Sequence, residues 1–363
     1  LLGVASLDSG KIDDAIVAFE RVLALNANHA GAQMDVARAY FAAGSFDLAE
    51  ASFKQLADSN PPPAAQQTIN RYLEAIQARK RQTTPGWMGY AELGLGYDTN
   101  ITGVPTDFGA AAQQSFGIIG IEPTGNSIKR KAGFGTIAGA MEYSMPLSRG
   151  WSLFIGRDGR LLASYQAFNQ EGDAPGEPKP TNDRRIANVQ GDWKYNLDPK
   201  TQVGLGVQYG QVRFPENDIE DFDQLFVVAS WLRSFETKGV PILYLAAMAS
   251  DDRAKNKMAD GVTDKSKTLA GLRSYFQYSL TPKLNVFNGL GFIYRQDKDA
   301  FARATEVEKG KDKFAEFMVG VNWQFRKTCA VRAQYVYTRN DSNISIYDFN
   351  RSEVSTAVRC EIN

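Results

Sequence analysis

The sequence predicts two domains of different class: α-helical hairpins over residues 1–85 and an antiparallel transmembrane β-barrel over residues 86–363. Three observations carry this. Two stretches near the start align at a spacing of 34 residues. The hydrophobic pattern changes from helical to alternating after residue 86. Short connections then alternate with long polar ones to the end of the chain.

In the first stretch Gly3, Gly10, Ala15 and Phe19 are matched by Ala37, Gly44, Ala49 and Phe53. A period of about 34 residues is that of the tetratricopeptide repeat, a helix–turn–helix unit that stacks into a solenoid. Small Gly or Ala lets two helices approach closely, and Phe fills the space beside them. Val36 and Tyr40 extend the pattern in the second unit, and Pro61 closes it. Residues 64–81 read as a further helix, with Ile69, Tyr72, Leu73 and Ile76 on its apolar stripe. Its basic end, Arg79 to Arg81, reads as a helix C-terminus with favourable charge. The one histidine, His29, falls in the turn between units and is expected to be solvated. Such repeats present a concave face to peptides or extended chains, so recruitment is the expected role. Leu1 already lies inside a repeat, and a secretion signal and further repeats are expected upstream.

From Trp87 the chain alternates. Trp87, Gly89, Ala91, Leu93, Leu95 and Tyr97 share one face, and Tyr90, Glu92, Gly94, Gly96 and Asp98 the other. Such a strand offers one face to lipid and one to a lumen. The pattern recurs at 189–195, 203–209 and 317–325. Short turns are expected near 146–150, 198–200, 236–239, 281–283 and 326–328. Long loops are expected near 101–129, 168–182, 214–220, 250–265, 297–311 and 340–350. This asymmetry is that of outer-membrane barrels, and it gives about 12 strands, or 14 if the 101–129 loop hides a further pair. Trp87, Trp151, Trp193, Tyr195, Trp231, Trp323 and Phe325 fall near the short-turn ends, as an interfacial girdle would. At 222–249 both faces are apolar, which fits a filled lumen, a lateral seam or a packed plug.

Candidate lumen-lining charges are Glu92, Glu142, Arg160, Asp192, Lys194, Arg273, Arg295, Glu316, Arg332 and Arg359. Their mixed signs favour ion pairs within the wall over a selective pore. Cys329 and Cys360 are the two cysteines. They fall on the last two strands, equidistant from the connecting loop, and are a candidate cross-strand disulfide in an oxidising compartment. The 41 basic and 41 acidic residues cancel, so no global field favours nucleic acid. There is no phosphate-binding loop, no metal-ligand set and no histidine in the barrel region. No enzyme and no cofactor is expected.

The repeats leading into Trp87, followed by AELGLGYDTNITGVP at 91–105, resemble the surface lipoprotein assembly modifier family. The part that carries the likeness in the barrel is a strand ending in Gly-Tyr-Asp-x-Asn at the first external loop. The resemblance implies a periplasmic repeat arm and an outer-membrane barrel that helps deliver protein clients, often lipoproteins, to the cell surface. The partners it implies are outer-membrane lipid, the client and the barrel-assembly machinery. Two departures stand out: the family barrel usually has 14 strands, and this chain ends in Glu-Ile-Asn rather than an aromatic residue. An exopolysaccharide exporter with a repeat scaffold is the alternative, and a porin with an accessory arm a third reading.

Overall fold

The structure is a computed structural model. It describes residues 2–59, 61–83, 86–116, 128–146, 151–155, 162–169, 183–198, 200–215, 218–235, 237, 239–257, 264–302 and 307–362. The chain divides into two compact units, Leu1–Gly86 and Trp87–Asn363. Among the described residues no helix is long and apolar enough to cross a membrane.

The first unit holds α1 (Leu2–Asp8), α2 (Ile12–Leu25), α3 (Ala30–Ala42), α4 (Phe46–Asp58) and α5 (Pro63–Thr83). Gly10 and Gly44 sit at the two turns with φ of 76° each, a left-handed conformation that glycine adopts without strain. Ala15, Phe19, Val36 and Ala39 form one buried cluster. Ala37, Ala49, Phe53, Leu56, Ile69 and Ile76 form a second. The Phe53 ring stacks on Tyr72 at 4.8 Å, locking α4 to α5. A Cβ on Gly3 would lie 2.7 Å from Cε1 of Phe19, so a side chain there would force the Phe19 ring or α1 to shift. His29 does more than meet solvent. Its Nδ1 accepts a hydrogen bond from the Ala32 amide at 3.1 Å and caps α3.

The second unit is one antiparallel sheet of thirteen strands. They are β1 (Gly86–Asp98), β2 (Ala132–Pro146), β3 (Trp151–Ile155), β4 (Leu162–Asn169), β5 (Arg184–Asp198), β6 (Thr201–Arg213), β7 (Phe222–Ser234), β8 (Ile242–Ala254), β9 (Lys267–Thr281), β10 (Leu284–Ala302), β11 (Val307–Gln324), β12 (Cys329–Ser342) and β13 (Phe349–Ile362). Strands β3 and β4 both lie between β2 and β5, each pairing with a different end of β2. They share one position, so the sheet has the twelve positions expected. Pairing of β1 with both β13 and β2 closes the ring. The described part of the 101–129 segment holds a helix, α6 (Phe108–Phe116), rather than the extra strand pair that would make fourteen. Two expected loops are shorter than the sequence suggests. β8 runs to Ala254, and β10 and β11 take up most of the 297–311 segment, pairing as far as Ala302 with Val307. The polar, charged residues there alternate like a loop but extend the ladder.

The outward face of the strands whose side chains are described carries an apolar belt. Leu93, Leu95, Ile137, Leu205, Val227, Leu272, Phe292, Val319 and Val354 all stand exposed on it. Exposed Trp87 and Trp323 lie at the short-turn end, and exposed Tyr97 and Tyr209 toward the long-loop end. Trp87 and Tyr97 are ten residues apart on β1. At ~3.3 Å per residue and ~40° tilt, that separation spans roughly 25 Å, the height of a lipid-facing band. The expected girdle residue Trp151 lies where no side chain is described.

Candidate functional site: the lumen and its long-loop mouth

Register fixes which residues face inward. Glu92 pairs with Arg359 across β1–β13, Arg359 with Ala330, and Arg332 with Asn322. Carried round the sheet, the same parity turns Glu142, Asp192, Lys194, Arg273, Arg295 and Glu316 inward. Arg160 lies outside the described residues. The remaining nine candidates therefore share one surface.

Several of these charges are engaged within the wall. Nη2 of Arg332 lies 3.0 Å from Oε1 of Glu92. The Arg359 guanidinium sits over the Tyr90 ring, 3.5 Å from its centre. Asp192 is buried and accepts two hydrogen bonds from Nε2 of Gln190, at 3.2 and 3.0 Å. Arg295 pairs with Asp312 at 3.3 Å and donates to Oδ1 of Asn340 at 2.9 Å. Lys267 joins this group through Asp312 at 3.7 Å and also pairs with Asp297 at 3.1 Å. Arg273 and Glu316 flank inward Gly291 on one register line. Pairs of this kind hold a wall in register at little net gain in stability.

The long-loop mouth carries the most buried polar groups; the sequence marks Asp98 and Asn100 as part of the Gly-Tyr-Asp-x-Asn strand end but not as a buried cluster. Asp98 is fully buried and paired with Arg351, which also reaches Glu353 at 3.3 Å. Asn100 is likewise fully buried. Its Nδ2 donates to the carbonyls of Val104 at 2.9 Å and Asn350 at 3.0 Å, and its Oδ1 accepts from the Gly103 amide at 3.1 Å. The Thr99 amide donates to the Ser352 carbonyl at 3.0 Å, and the Ser352 amide donates back to Oγ1 of Thr99 at 2.9 Å. The Asp-Thr-Asn of the 91–105 segment is thus a clasp that ties the first loop to the last hairpin, across the seam where the first and last strands meet. Polar residues at a strand end read as loop in a sequence. Only the inward parity of Asp98 signalled a buried partner.

The last loop folds over the mouth. Ser345–Tyr347 form a 3-10 turn that packs against α6 of the first loop. Ile344 is fully buried. Nδ2 of Asn340 donates to the Tyr347 carbonyl at 2.7 Å, and the Tyr347 ring lies 5.8 Å from Nζ of Lys267 on β9. The loop between β12 and β13 therefore reaches inward as far as a strand three positions away. Burial pushes the Tyr347 hydroxyl well above its usual range, and the carboxylates of Asp297, Glu220 and Asp312 reinforce this.

Cys329 and Cys360 are register partners on the outward face of β12 and β13, their Cα atoms 4.1 Å apart, and they form a disulfide. It lies one residue from the short turn at 326–328. Among the described residues no cluster of His, Cys, Asp and Glu has the arrangement of a metal site.

Residues 6–77 match the tetratricopeptide repeat family model. No curated protein matches the chain in sequence. Among solved structures, an outer membrane channel from Pseudomonas putida F1 is similar over 77% of this chain and 97% of its own, at 10% identity and a TM-score of 0.50. The β domain of the Bordetella autotransporter Brka is similar over 76% of this chain and 99% of its own, at 14% identity and a TM-score of 0.41. The NanC porin is similar over 74% and 98%, at 11% identity and a TM-score of 0.39. The chain thus joins tetratricopeptide repeats to a barrel of the outer-membrane type.

Proposed function

We propose that this protein is an outer-membrane barrel whose tetratricopeptide repeat arm, in the periplasm, recruits a client protein that the barrel delivers to the cell surface. The client class is a surface protein, a lipoprotein foremost. The partners are outer-membrane lipid, the client and the barrel-assembly machinery, and the reading assigns no catalytic step.

The observation that carries it is the mouth. A passive porin keeps an aqueous path through its lumen. Here buried Asp98 and Asn100 clasp the seam, and the last loop folds inward over β9 to β12. A mouth whose last loop folds inward, joined to a peptide-binding repeat, fits gated delivery of a recruited chain. The wall charges are of both signs, which supports neither an anion nor a cation track. The apolar belt supports insertion in a bilayer, and β1 begins at the short-turn end, the periplasmic end in barrels of this kind. The resemblance of the 91–105 segment to the surface lipoprotein assembly modifiers points the same way.

Removing residues 1–85 and exporting the remainder behind a cleavable signal sequence tests the division of labour. The barrel should still insert and resist heat and protease, while the client disappears from the surface. Normal client display without the arm would end the recruitment reading.

A further inference from the structure

The least expected surface of this barrel is the inward side of β7 and β8. Barrel interiors are ordinarily polar. Here Phe226, Val228 and Leu232 of β7, with Ile242 and Met248 of β8, face inward and stay only half-buried. Their sequence neighbours Leu225, Val227 and Leu245 stand exposed to lipid on the other side. These inward side chains form a stripe along the strands, from Leu232 near the short-turn end toward the mouth. Six positions round the twelve-position ring, the facing wall is β1 with its neighbour β13. That wall carries the Glu92–Arg332 pair and Arg359. Between the two, Asn285 and Asn322 are inward register partners, and Asn322 is in turn the partner of Arg332. They line a cavity of about 370 Å³ together with Gln334.

We propose that the lumen binds an extended segment of polypeptide, with one face on the β7–β8 stripe and the other toward the amides and ion pairs of β10–β13. This rests on the client reading above and names what the lumen recognises. An extended chain turns successive side chains to opposite faces, so a two-faced lumen matches it. Carboxamides both donate and accept, as peptide groups do. Leu232 to Phe226 spans roughly 20 Å at ~3.3 Å per residue, about six residues of extended chain. An oligosaccharide, which stacks on flat aromatic faces, fits less well: the stripe is mostly branched or flexible aliphatic, with Phe226 and Tyr244 its aromatics, and the cavity's Tyr275 and Phe287 stack on one another at 5.7 Å. A lone acyl chain would leave the amide and guanidinium wall without a role.

The test uses the full chain in detergent micelles and a short fluorescein-labelled peptide alternating leucine with glutamine. Its control has the same composition with the leucines in one block. Anisotropy should show the alternating peptide binding about tenfold more tightly than the block peptide. The double variant Val228→Asn, Ile242→Asn should weaken it by about tenfold or more, with heat-modifiable mobility confirming that the barrel is folded. If that variant does not fold, Val228→Thr with Ile242→Val keeps shape, and a weakening of about threefold is expected. Equal binding of both peptides, unchanged binding by the folded variant, or displacement of the peptide by maltoheptaose would overturn the proposal. Client display in cells is scored separately. Normal display by wild-type protein alongside indifferent peptide binding would defeat this inference and leave the client reading standing.

Discussion

The clasp at the mouth makes the sharpest quantitative prediction. Replacing Asn100 with Ala removes three short hydrogen bonds, two donated to Val104 and Asn350 and one accepted from Gly103, besides longer ones accepted from Thr102 and Val104. Each such bond contributes about 0.5–1.5 kcal/mol net, and the side chain is fully buried, so no water replaces it. The three together are worth about 2–4 kcal/mol, acting on a local opening of the first loop from the last hairpin. Opening should become about 30- to 1,000-fold more frequent, since each 1.4 kcal/mol is tenfold. Asn100→Asp should be worse still. It keeps the acceptor but turns a carboxylate oxygen toward two carbonyls, in a fully buried site beside Asp98. Hydrogen exchange of the barrel in micelles reads this directly. Protection should fall at the amides of Thr99, Gly103 and Ser352 and hold along β6–β8, in the order wild type, Asn100→Ala, Asn100→Asp. Equal protection in all three proteins, or a uniform loss across the barrel, would refute the idea of a local clasp.

Further consequences concern the two units separately. Cys329 and Cys360 are 31 residues apart, so the disulfide restricts the unfolded chain by up to about 4 kcal/mol on the chain-entropy model. The Cys329→Ser, Cys360→Ser protein should unfold at lower urea, with the reduced wild type matching it. Gly3→Val should destabilise the helical unit by about 1–3 kcal/mol through overpacking against Phe19, visible as an earlier loss of helical circular dichroism. The Tyr40 hydroxyl, donating to Glu20 at 2.6 Å, has its pKa pushed up to about 12. Its unfolded value is near 10, so the native state holds the proton more tightly. The stabilisation is whole below about pH 10 and is lost as pH rises toward 12. Helical stability should decline across that window in the wild type, and the decline should flatten in Tyr40→Phe.

The sequence carried the architecture because its periods are simple. A 34-residue spacing of small and aromatic residues placed Gly10 and Gly44 at the turns and Phe19 and Phe53 where helices pack. Alternation of faces placed every described lumen candidate on the inner side. What it concealed depends on tertiary context. Helix α6 has nine residues, too few to stand alone, and it is held by packing on the last loop. The charged residues of 297–311 look like loop, yet β10 and β11 extend through most of them because the neighbouring strand supplies the hydrogen bonds. Asp98 and Arg351 lie far apart in sequence and meet only when the ring closes. The two-sided apolarity at 222–249 was visible as an anomaly, but only register showed that half of it faces the lumen.

The central claim is that the arm and barrel deliver a protein rather than a carbohydrate. The most direct measurement compares a strain lacking this chain with its parent, by protease shaving of surface proteins and by sugar analysis of surface polymer. Loss of one or a few surface proteins, with carbohydrate unchanged, is the predicted result. Loss of an exopolysaccharide with surface proteins intact would contradict the account and identify an exporter.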